Sequence, residues 1–312
     1  MRKVFRDEAL EQEFQRHGFV TVDLISLDVV ENLKQKFFET LQLSAGQIKA
    51  AELNYDISEI TYDFSFIDKN PEYKRKVFEV LTKELKTYAD KYLDNYRIII
   101  ANYIRKTPER GGEVPLHQNW AFADELKCCT VSIWIPLIDS TIENGTLQVV
   151  PGSHKRFGRF RGPLVPWELE GIKQQIIDKY LVPLETPAGK AVILDDSIVH
   201  YSAPNKTSTL RLAIQLICIP EEFPSIHYHK NASLPENVIE VLEVDEEFYI
   251  HFNPWKKPEG ARKIGEVSFS YEPLTEEEFA SRLYRSRFDE AVGNSAKNPF
   301  KFFEKLKKMV VG

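Results

Sequence analysis

The sequence predicts a mainly β fold with helical decoration, and three observations support this class. Segments with strand-like composition recur between residues 97 and 219, whereas helical spacing dominates the part before them. Two of the β segments alternate between an apolar face and a partly polar face. At 312 residues, the chain is also long enough to bury about three quarters of its unfolded surface, so core size is not limiting.

Three helices and one strand are predicted ahead of the β segments. Apolar residues repeat at helical spacing over 7–16 and 27–42, and residues 71–94 are rich in Lys, Glu and Leu. An extended run over 19–22 follows Gly18, a residue type that often ends a helix. The apolar positions that define the first two helices are Leu10, Phe14, Val30, Leu33, Phe37 and Leu41.

The predicted strands cover 97–104, 116–122, 128–136, 146–150, 181–184, 190–194 and 209–219. In 128–136, one face carries Cys129, Val131, Ile133 and Ile135, and the other carries Cys128, Thr130, Ser132 and Trp134. In 209–219, Leu210, Leu212, Ile214 and Leu216 oppose Thr209, Arg211, Ala213 and Gln215. Two sheets around a partly polar interior, with helices on the outer apolar face, satisfy both patterns. This is a double-stranded β-helix, a jelly-roll or cupin-like core flanked by helices.

The C-terminal part is expected to decorate that core. From about residue 222 the chain is more polar and irregular, and helices are expected near 235–243, 275–284 and 297–309. No repeat or linker interrupts the sequence. We therefore expect a single domain over 1–312, with its core at about 5–220 and a helical and loop extension over 221–312 packed on it.

Bulk properties exclude several partners. A net charge of -6 argues against nucleic acid and anionic membranes, and no run of about 18 apolar residues is present. The N-terminus lacks the apolar segment of a secretory signal. Three cysteines without framework spacing are expected to be buried thiols in a reducing compartment, so a cytoplasmic location is expected. The oligomeric state is left open.

Four residues form the candidate site. His117 and Asn119 stand two apart in a predicted strand and would project together, while His200 and Arg211 follow much later. Two histidines and one carboxylate on one face of the metal are typical of non-haem Fe(II) oxygenases, but here an amide takes the carboxylate position. Arg211 points inward from a strand whose other face is apolar, and burying it requires an anionic partner such as a carboxylate.

These residues resemble the phytanoyl-CoA dioxygenase family of Fe(II)/2-oxoglutarate oxygenases. The resemblance rests on His117-Gln118-Asn119 against the family's His-Gln-Asp, on the segment 143–154 that ends in Pro-Gly-Ser-His, and on His200 followed by Arg211. It extends to Gly18-Phe19-Val20, so it covers about residues 5–220. The Pro-Gly-Ser-His segment is its most specific part.

The resemblance implies cofactors, site residues and a reaction. Fe(II) would be held by His117, His200 and the Asn119 position, and Arg211 would bind the far carboxylate of the cosubstrate 2-oxoglutarate. Ser202, Trp134 and Lys106 would line the cosubstrate pocket. With O2, such a site hydroxylates a small or medium-sized metabolite and decarboxylates 2-oxoglutarate to succinate and CO2.

Asn119 is the departure from that pattern. A neutral amide is a weaker ligand than a carboxylate, so metal affinity should fall. Halogenating relatives replace the acid with a small residue, but Asn fills much of that space, so halogenation is not expected. The alternative is a non-catalytic ligand-binding protein that has lost its iron. The sequence leaves open whether the amide is natural or engineered.

Substrate contacts are expected in loops near the site. The candidates are Trp120, Phe122, Tyr55 and Arg159, of which the last two lie in the irregular segments 45–70 and 155–180. Asn144-Gly145 is interpreted as a tight turn without chemistry. His227 and His229, in a polar segment without a third ligand, are expected at the surface.

Overall fold

In the described residues, three α-helices precede residue 93 and three follow residue 172, and the strands lie between the first helix and the last. The computed structural model describes residues 2–49, 62–108 and 112–291. Its α-helices are α1 (Glu8–His17), α2 (Leu27–Leu41), α3 (Pro71–Tyr92), α4 (Lys173–Lys179), α5 (Glu246–His251) and α6 (Glu276–Ala291). Short 3-10 helices cover Ser65–Ile67 and Glu170–Ile172.

Thirteen strands are present in the described residues. They are β1 (Phe19–Asp23), β2 (Asp63–Phe64), β3 (Tyr96–Lys106), β4 (Val114–His117), β5 (Val131–Pro136), β6 (Leu147–Val149), β7 (Val182–Pro183), β8 (Lys190–Asp195), β9 (His200–Ser202), β10 (Arg211–Pro220), β11 (Ser225–His229), β12 (Val238–Val244) and β13 (Arg262–Ser268). They form a six-stranded sheet in the order β1-β8-β5-β10-β3-β2, a four-stranded sheet β4-β9-β6-β7, and a three-stranded sheet β11-β12-β13.

The outer face of the six-stranded sheet carries the main core. The predicted apolar faces of β5 and β10 pack there against α1, α2 and α3. Caps bound α1 at both ends: the Asp7 carboxylate accepts a hydrogen bond from the Leu10 N–H, and Gly18 takes a positive φ at the C-terminal end. The three helices predicted ahead of the β segments are therefore the ones that cover this sheet.

The inner face of the same sheet meets the four-stranded sheet. Trp134 of β5 and Ala213 of β10 share a second cluster with Leu147, Val149 and the loop before β9. All strand pairs in both sheets are antiparallel. Two antiparallel sheets face to face, with helices on the outside of one, are the predicted jelly-roll arrangement.

The C-terminal part differs from the prediction. Residues 238–244 form the central strand of a three-stranded sheet, so the helix expected over 235–243 is wrong. The segment is rich in Val and Ile, and pairing on both edges satisfies its backbone in a way that a helix would not. This sheet and α5 pack through Leu242 and Phe248 against Ile99 and Ile217 of the large sheet.

Two smaller expectations also change. The strand expected over 116–122 ends at His117. His227 is 2% exposed rather than at the surface, and its ring lies among Trp120, Phe248 and Phe252.

The three cysteines are free thiols and all are buried, as expected. No helix in the described ranges is long and apolar enough to cross a membrane. The helix expected over 297–309 lies outside the described residues.

Candidate active site

The register of the smaller sheet brings two histidines together. β4 pairs with β9 so that His117 stands opposite His200, and the ring centroids lie 4.1 Å apart. On its other edge β9 pairs with β6, where Val149 is opposite His200. Two residues separated by more than eighty positions therefore become neighbours in the interior between the sheets.

The orientation of each imidazole is fixed by a backbone carbonyl. Nδ1 of His117 lies 2.7 Å from the Pro115 oxygen, and Nδ1 of His200 lies 2.9 Å from the Ile198 oxygen. Because a carbonyl only accepts, Nδ1 carries the proton in both rings and Nε2 keeps a free electron pair. Burial lowers the pKa of both histidines, which keeps them neutral. Two neutral nitrogen donors, each held by its other ring nitrogen, fit a divalent transition metal.

Asn119 lies beyond the end of β4 and still faces the same interior. Its Nδ2 donates to Asp196 Oδ1 at 2.9 Å and to Ser132 Oγ at 3.0 Å. Within residues 2–49, 62–108 and 112–291, no three His, Cys, Asp or Glu side chains are grouped to hold a metal ion. The amide oxygen of Asn119 is therefore the candidate third ligand beside the two histidines.

Arg211 faces the cavity from the first position of β10. The residue is 2% exposed, and its Nη2 donates to the Gly145 carbonyl at 3.0 Å and to Ser202 Oγ at 3.1 Å. Its guanidinium carbon lies 5.6 Å from the centre of the Trp134 ring. Among the described residues, Nε and Nη1 have no hydrogen-bond partner. Burial lowers the Arg211 pKa to about 10, so the group stays charged at pH 7. Two unpaired N–H groups on a buried cation fit a carboxylate.

Lys106 stands behind Ser202 rather than in the cavity wall. Its Nζ donates to Ser202 Oγ at 2.6 Å and to the Ala203 carbonyl at 2.5 Å. Burial, followed by the nearby charge of Arg211, lowers the Lys106 pKa to about 6. The side chain therefore supports the wall that Ser202 and Arg211 present, and it is not among the residues that line the cavity.

The cavity beside these groups has a volume of about 210 Å³. It brings together His117, Asn119, His200, Ser202, Arg211, Trp134, Trp120 and Phe122. The rest of its described wall is mostly aromatic and aliphatic and consists of Tyr62, Phe64, Phe66, Ile100, Ile104, Val114, Gln118, Leu147, Leu194, Tyr201, Gln215 and Ile217. Among these described lining residues Arg211 carries the sole permanent charge, so the part of the cavity away from Arg211 is neutral and largely apolar.

Two expected substrate contacts are not part of this wall. Tyr55 lies outside the described residues. The expectation for Arg159 is wrong, because this residue lines a different cleft with Tyr271 and stacks its guanidinium on the Phe160 ring. Arg161, two residues further along this loop, is buried and paired with Glu125.

Three residues near the site were not singled out from the sequence. Gly145, interpreted only as a turn, holds Arg211 and Ser202 through its carbonyl. Asp196 accepts from Asn119, and Gln215 Nε2 donates to Ser132 at 3.3 Å. The sequence offered one signal for Asp196, namely the acidic pair at 195–196 between an apolar strand and His200. Acidic side chains at the end of a buried strand require hydrogen-bonding or charged partners.

Comparison with known proteins places these features in one family. A family model described as Phytanoyl-CoA dioxygenase (PhyH) matches residues 14–213. A Phytanoyl-CoA dioxygenase domain-containing protein 1 homolog from Dictyostelium discoideum is 35% identical over 136 residues, covering 41% of this chain and 48% of the relative. A Phytanoyl-CoA dioxygenase from Arabidopsis thaliana is 31% identical over 173 residues, covering 48% and 58%. The match thus spans about half the length of these curated relatives.

Solved structures share the fold. The non-heme alpha ketoglutarate dependent carbocyclase SnoK from nogalamycin biosynthesis matches with a TM-score of 0.52 at 18% identity, over 70% of this chain and 86% of that chain. The epimerase SnoN, in complex with Fe3+, alpha ketoglutarate and nogalamycin RO, matches with a TM-score of 0.52 at 17% identity, over 86% and 95%. At such identities the likeness concerns the fold, and it confirms the predicted fold class.

Proposed function

This chain belongs to the phytanoyl-CoA dioxygenase family, and we propose that it is an Fe(II)- and 2-oxoglutarate-dependent oxygenase that hydroxylates a small or medium-sized metabolite. The observation that carries the proposal is the placement of two neutral imidazoles beside a buried arginine with two unpaired N–H groups. Metal donors and a carboxylate receptor in one cavity are what a metal-chelating dicarboxylate requires.

Each site residue then has a defined task. His117 and His200 would bind the metal through Nε2, and Asn119 would offer its amide oxygen as third ligand. Arg211 and Ser202 would bind the far carboxylate of 2-oxoglutarate, with Trp134 against the guanidinium and Lys106 supporting Ser202. When bound, iron supplies the activation of O2 that oxidatively decarboxylates 2-oxoglutarate to succinate and CO2. The protein binds and orients these reactants.

The cavity wall supports a finer proposal for the substrate. Trp120 and Phe122 face the same space as the histidines, and the described wall beyond Arg211 offers no charged side chain to balance a charged group. Burying an unpaired charge there would cost several kcal/mol, on the order of the penalties for buried ions. We therefore infer that the part of the substrate nearest the metal is uncharged and apolar.

An anaerobic titration tests the proposed function. Purified protein is mixed with Fe(II) and then with 2-oxoglutarate, and the metal-to-ligand charge-transfer band of the ternary complex is followed. A band that appears in the parent protein and is lost in His200→Ala supports the proposal. Its absence in the parent, together with no heat of 2-oxoglutarate binding, would refute it.

The alternative function is a binding protein that lacks turnover, and Asn119 in the ligand position favours it. Succinate formation separates the two, because an oxygenase produces succinate with a suitable substrate and a binding protein does not. Neutral apolar compounds are the first substrates to screen. Formation of the complex without succinate from any of them would favour the binding protein.

Two broader statements are also proposals. The three buried thiols support a reducing compartment such as the cytoplasm. The hydrophobic cluster shared by the large sheet and the C-terminal segment supports a single domain over the described chain.

A further inference from the structure

The Asn119 side chain is held from behind by a buried carboxylate. Asp196 is 0% exposed, and its Oδ1 accepts from Asn119 Nδ2 at 2.9 Å and from Ser132 Oγ at 2.6 Å. The main chain is held as well, because Arg161 Nε donates to the Asn119 carbonyl at 2.7 Å. Asp196 does not line the cavity, so it reaches the candidate metal site through Asn119.

This contact fixes which way the amide points. Asp196 Oδ1 accepts hydrogen bonds from both Asn119 Nδ2 and Ser132 Oγ, so Asn119 turns its NH2 group toward Asp196 and its oxygen away from it. Asn119 lines the same cavity as His117. Donating to a carboxyl oxygen also polarises the amide and places more negative charge on its own oxygen, which makes it a better ligand.

The same contact explains why an aspartate does not fit position 119 beside Asp196. A carboxylate there would bring two negative groups to hydrogen-bond distance in a buried site, where like charges strongly disfavour ionisation of both. One of the two groups has to be neutral. In this chain the amide stands at the ligand position and the carboxyl group of Asp196 stands directly behind it.

We propose that Asp196 is a positioning residue for the metal site, which orients and polarises the Asn119 amide through the hydrogen bond between Asn119 Nδ2 and Asp196 Oδ1. The proposal rests on the proposed function, since it concerns the metal of that site. It predicts that positions 119 and 196 are coupled, so that exactly one of them should be a carboxylate and the other an amide.

A double-mutant cycle on metal affinity tests the coupling, with Mn(II) binding measured by anaerobic calorimetry and by electron paramagnetic resonance. Asp196→Asn keeps a hydrogen-bond acceptor but removes the charge, and we expect it to weaken Mn(II) binding by about 10- to 100-fold, as loss of an outer-sphere partner typically does. Asn119→Asp alone should not improve binding, because the two acids repel. The double variant N119D/D196N should bind more tightly than either single variant.

Asp195→Asn is the matched control. Asp195 is an equally buried neighbouring acid, but it bonds Ser197 and Cys129 and does not contact Asn119. It should change thermal stability without changing Mn(II) affinity. Thermal melts of all variants separate folding from metal binding.

The outcomes discriminate between the two proposals. If Asp196→Asn binds Mn(II) within about a factor of two of the parent, or if the two substitutions are additive, the coupling is overturned while the oxygenase proposal stands. If the parent binds neither Mn(II) nor 2-oxoglutarate, the proposed function itself fails and the coupling fails with it.

Discussion

The side-chain nitrogen of Lys106 lies 2.6 Å from the hydroxyl oxygen of Ser202. The same hydroxyl accepts from Arg211 at 3.1 Å and lies 2.7 Å from the Gly145 carbonyl, to which it donates. One hydroxyl therefore links two buried basic groups. The two basic groups can bind an anion together, and a bound anion would favour their protonated forms.

Binding of 2-oxoglutarate should take up a proton at Lys106. Burial and Arg211 hold the Lys106 pKa at about 6 in the free protein, and a bound carboxylate would raise it. An anion that favours the protonated amine binds best where the amine is already protonated, so affinity should fall as pH rises above about 6. Calorimetry in buffers of different ionisation enthalpy measures this uptake. In Lys106→Met the pH dependence should flatten, and an unchanged slope would argue against Lys106 as its source.

Arg211→Lys should weaken 2-oxoglutarate binding while leaving metal affinity unchanged. A lysine keeps a positive charge but cannot present two parallel N–H groups to one carboxylate. Loss of one charge-assisted hydrogen bond costs about 1.5–3 kcal/mol, which corresponds to roughly 10- to 100-fold in affinity. Calorimetry with 2-oxoglutarate on the Mn(II)-loaded protein checks this. Arg105→Lys is the control, because Arg105 pairs with Asp63 outside the cavity and should not affect binding.

Gly145→Ala should damage both stability and cosubstrate binding. A Cβ at Gly145 would meet the Ala203 carbonyl oxygen at 2.1 Å, and the residue has a φ of +80°. The backbone would have to shift, and the carbonyl that holds Arg211 would move with it. We expect a loss of about 1–3 kcal/mol in the free energy of unfolding and weaker 2-oxoglutarate binding.

Gly46→Ala provides the comparison for that substitution. Gly46 has a φ of +79°, but nothing lies within 4 Å of the added Cβ. The control therefore carries the backbone strain alone, of about 1 kcal/mol. Equal losses in the two variants, measured by chemical denaturation, would show that contact with Ala203 is unimportant.

The sequence predicted the large sheet well because its signals are local. Alternation in 128–136 and 209–219 identified which side chains face the helices, and the hydrophobic cluster contains those residues. The C-terminal sheet was missed, because Val238–Val244 has apolar positions that fit helical and strand periods alike. Pairing with β11 and β13 on its two edges makes this segment a strand rather than a helix. The sequence of a short segment does not show such pairing.

The candidate site was predictable to a similar extent. His117 and His200 were identified because they stand in a pattern that resembles the family's motif together with the segment 143–154, and Arg211 also because a buried arginine requires an anionic partner. Asp196 was not, because its importance comes from its contact with Asn119 across 77 positions. Contacts between loops depend on the packing of both sheets, and residue spacing does not encode them.

Stability in acid should depend on His227, which lies buried among aromatic rings away from the candidate ligands. Burial, with a smaller contribution from His229, lowers its pKa to about 3, whereas the unfolded chain titrates near the ordinary value of about 6.5. The unfolded state therefore binds the proton first, so the stability that neutral His227 provides is complete above pH 6.5 and is lost as pH falls toward 3. Between pH 6.5 and 5 this loss amounts to about 2 kcal/mol.

Chemical denaturation at several pH values should show a shallower acid slope in His227→Phe, which keeps an aromatic ring but cannot be charged. His251→Gln, at an exposed position of α5 where the imidazole contacts Glu247, should keep the slope of the parent because it leaves His227 in place. Equal slopes in the parent and His227→Phe would assign the acid sensitivity to other groups.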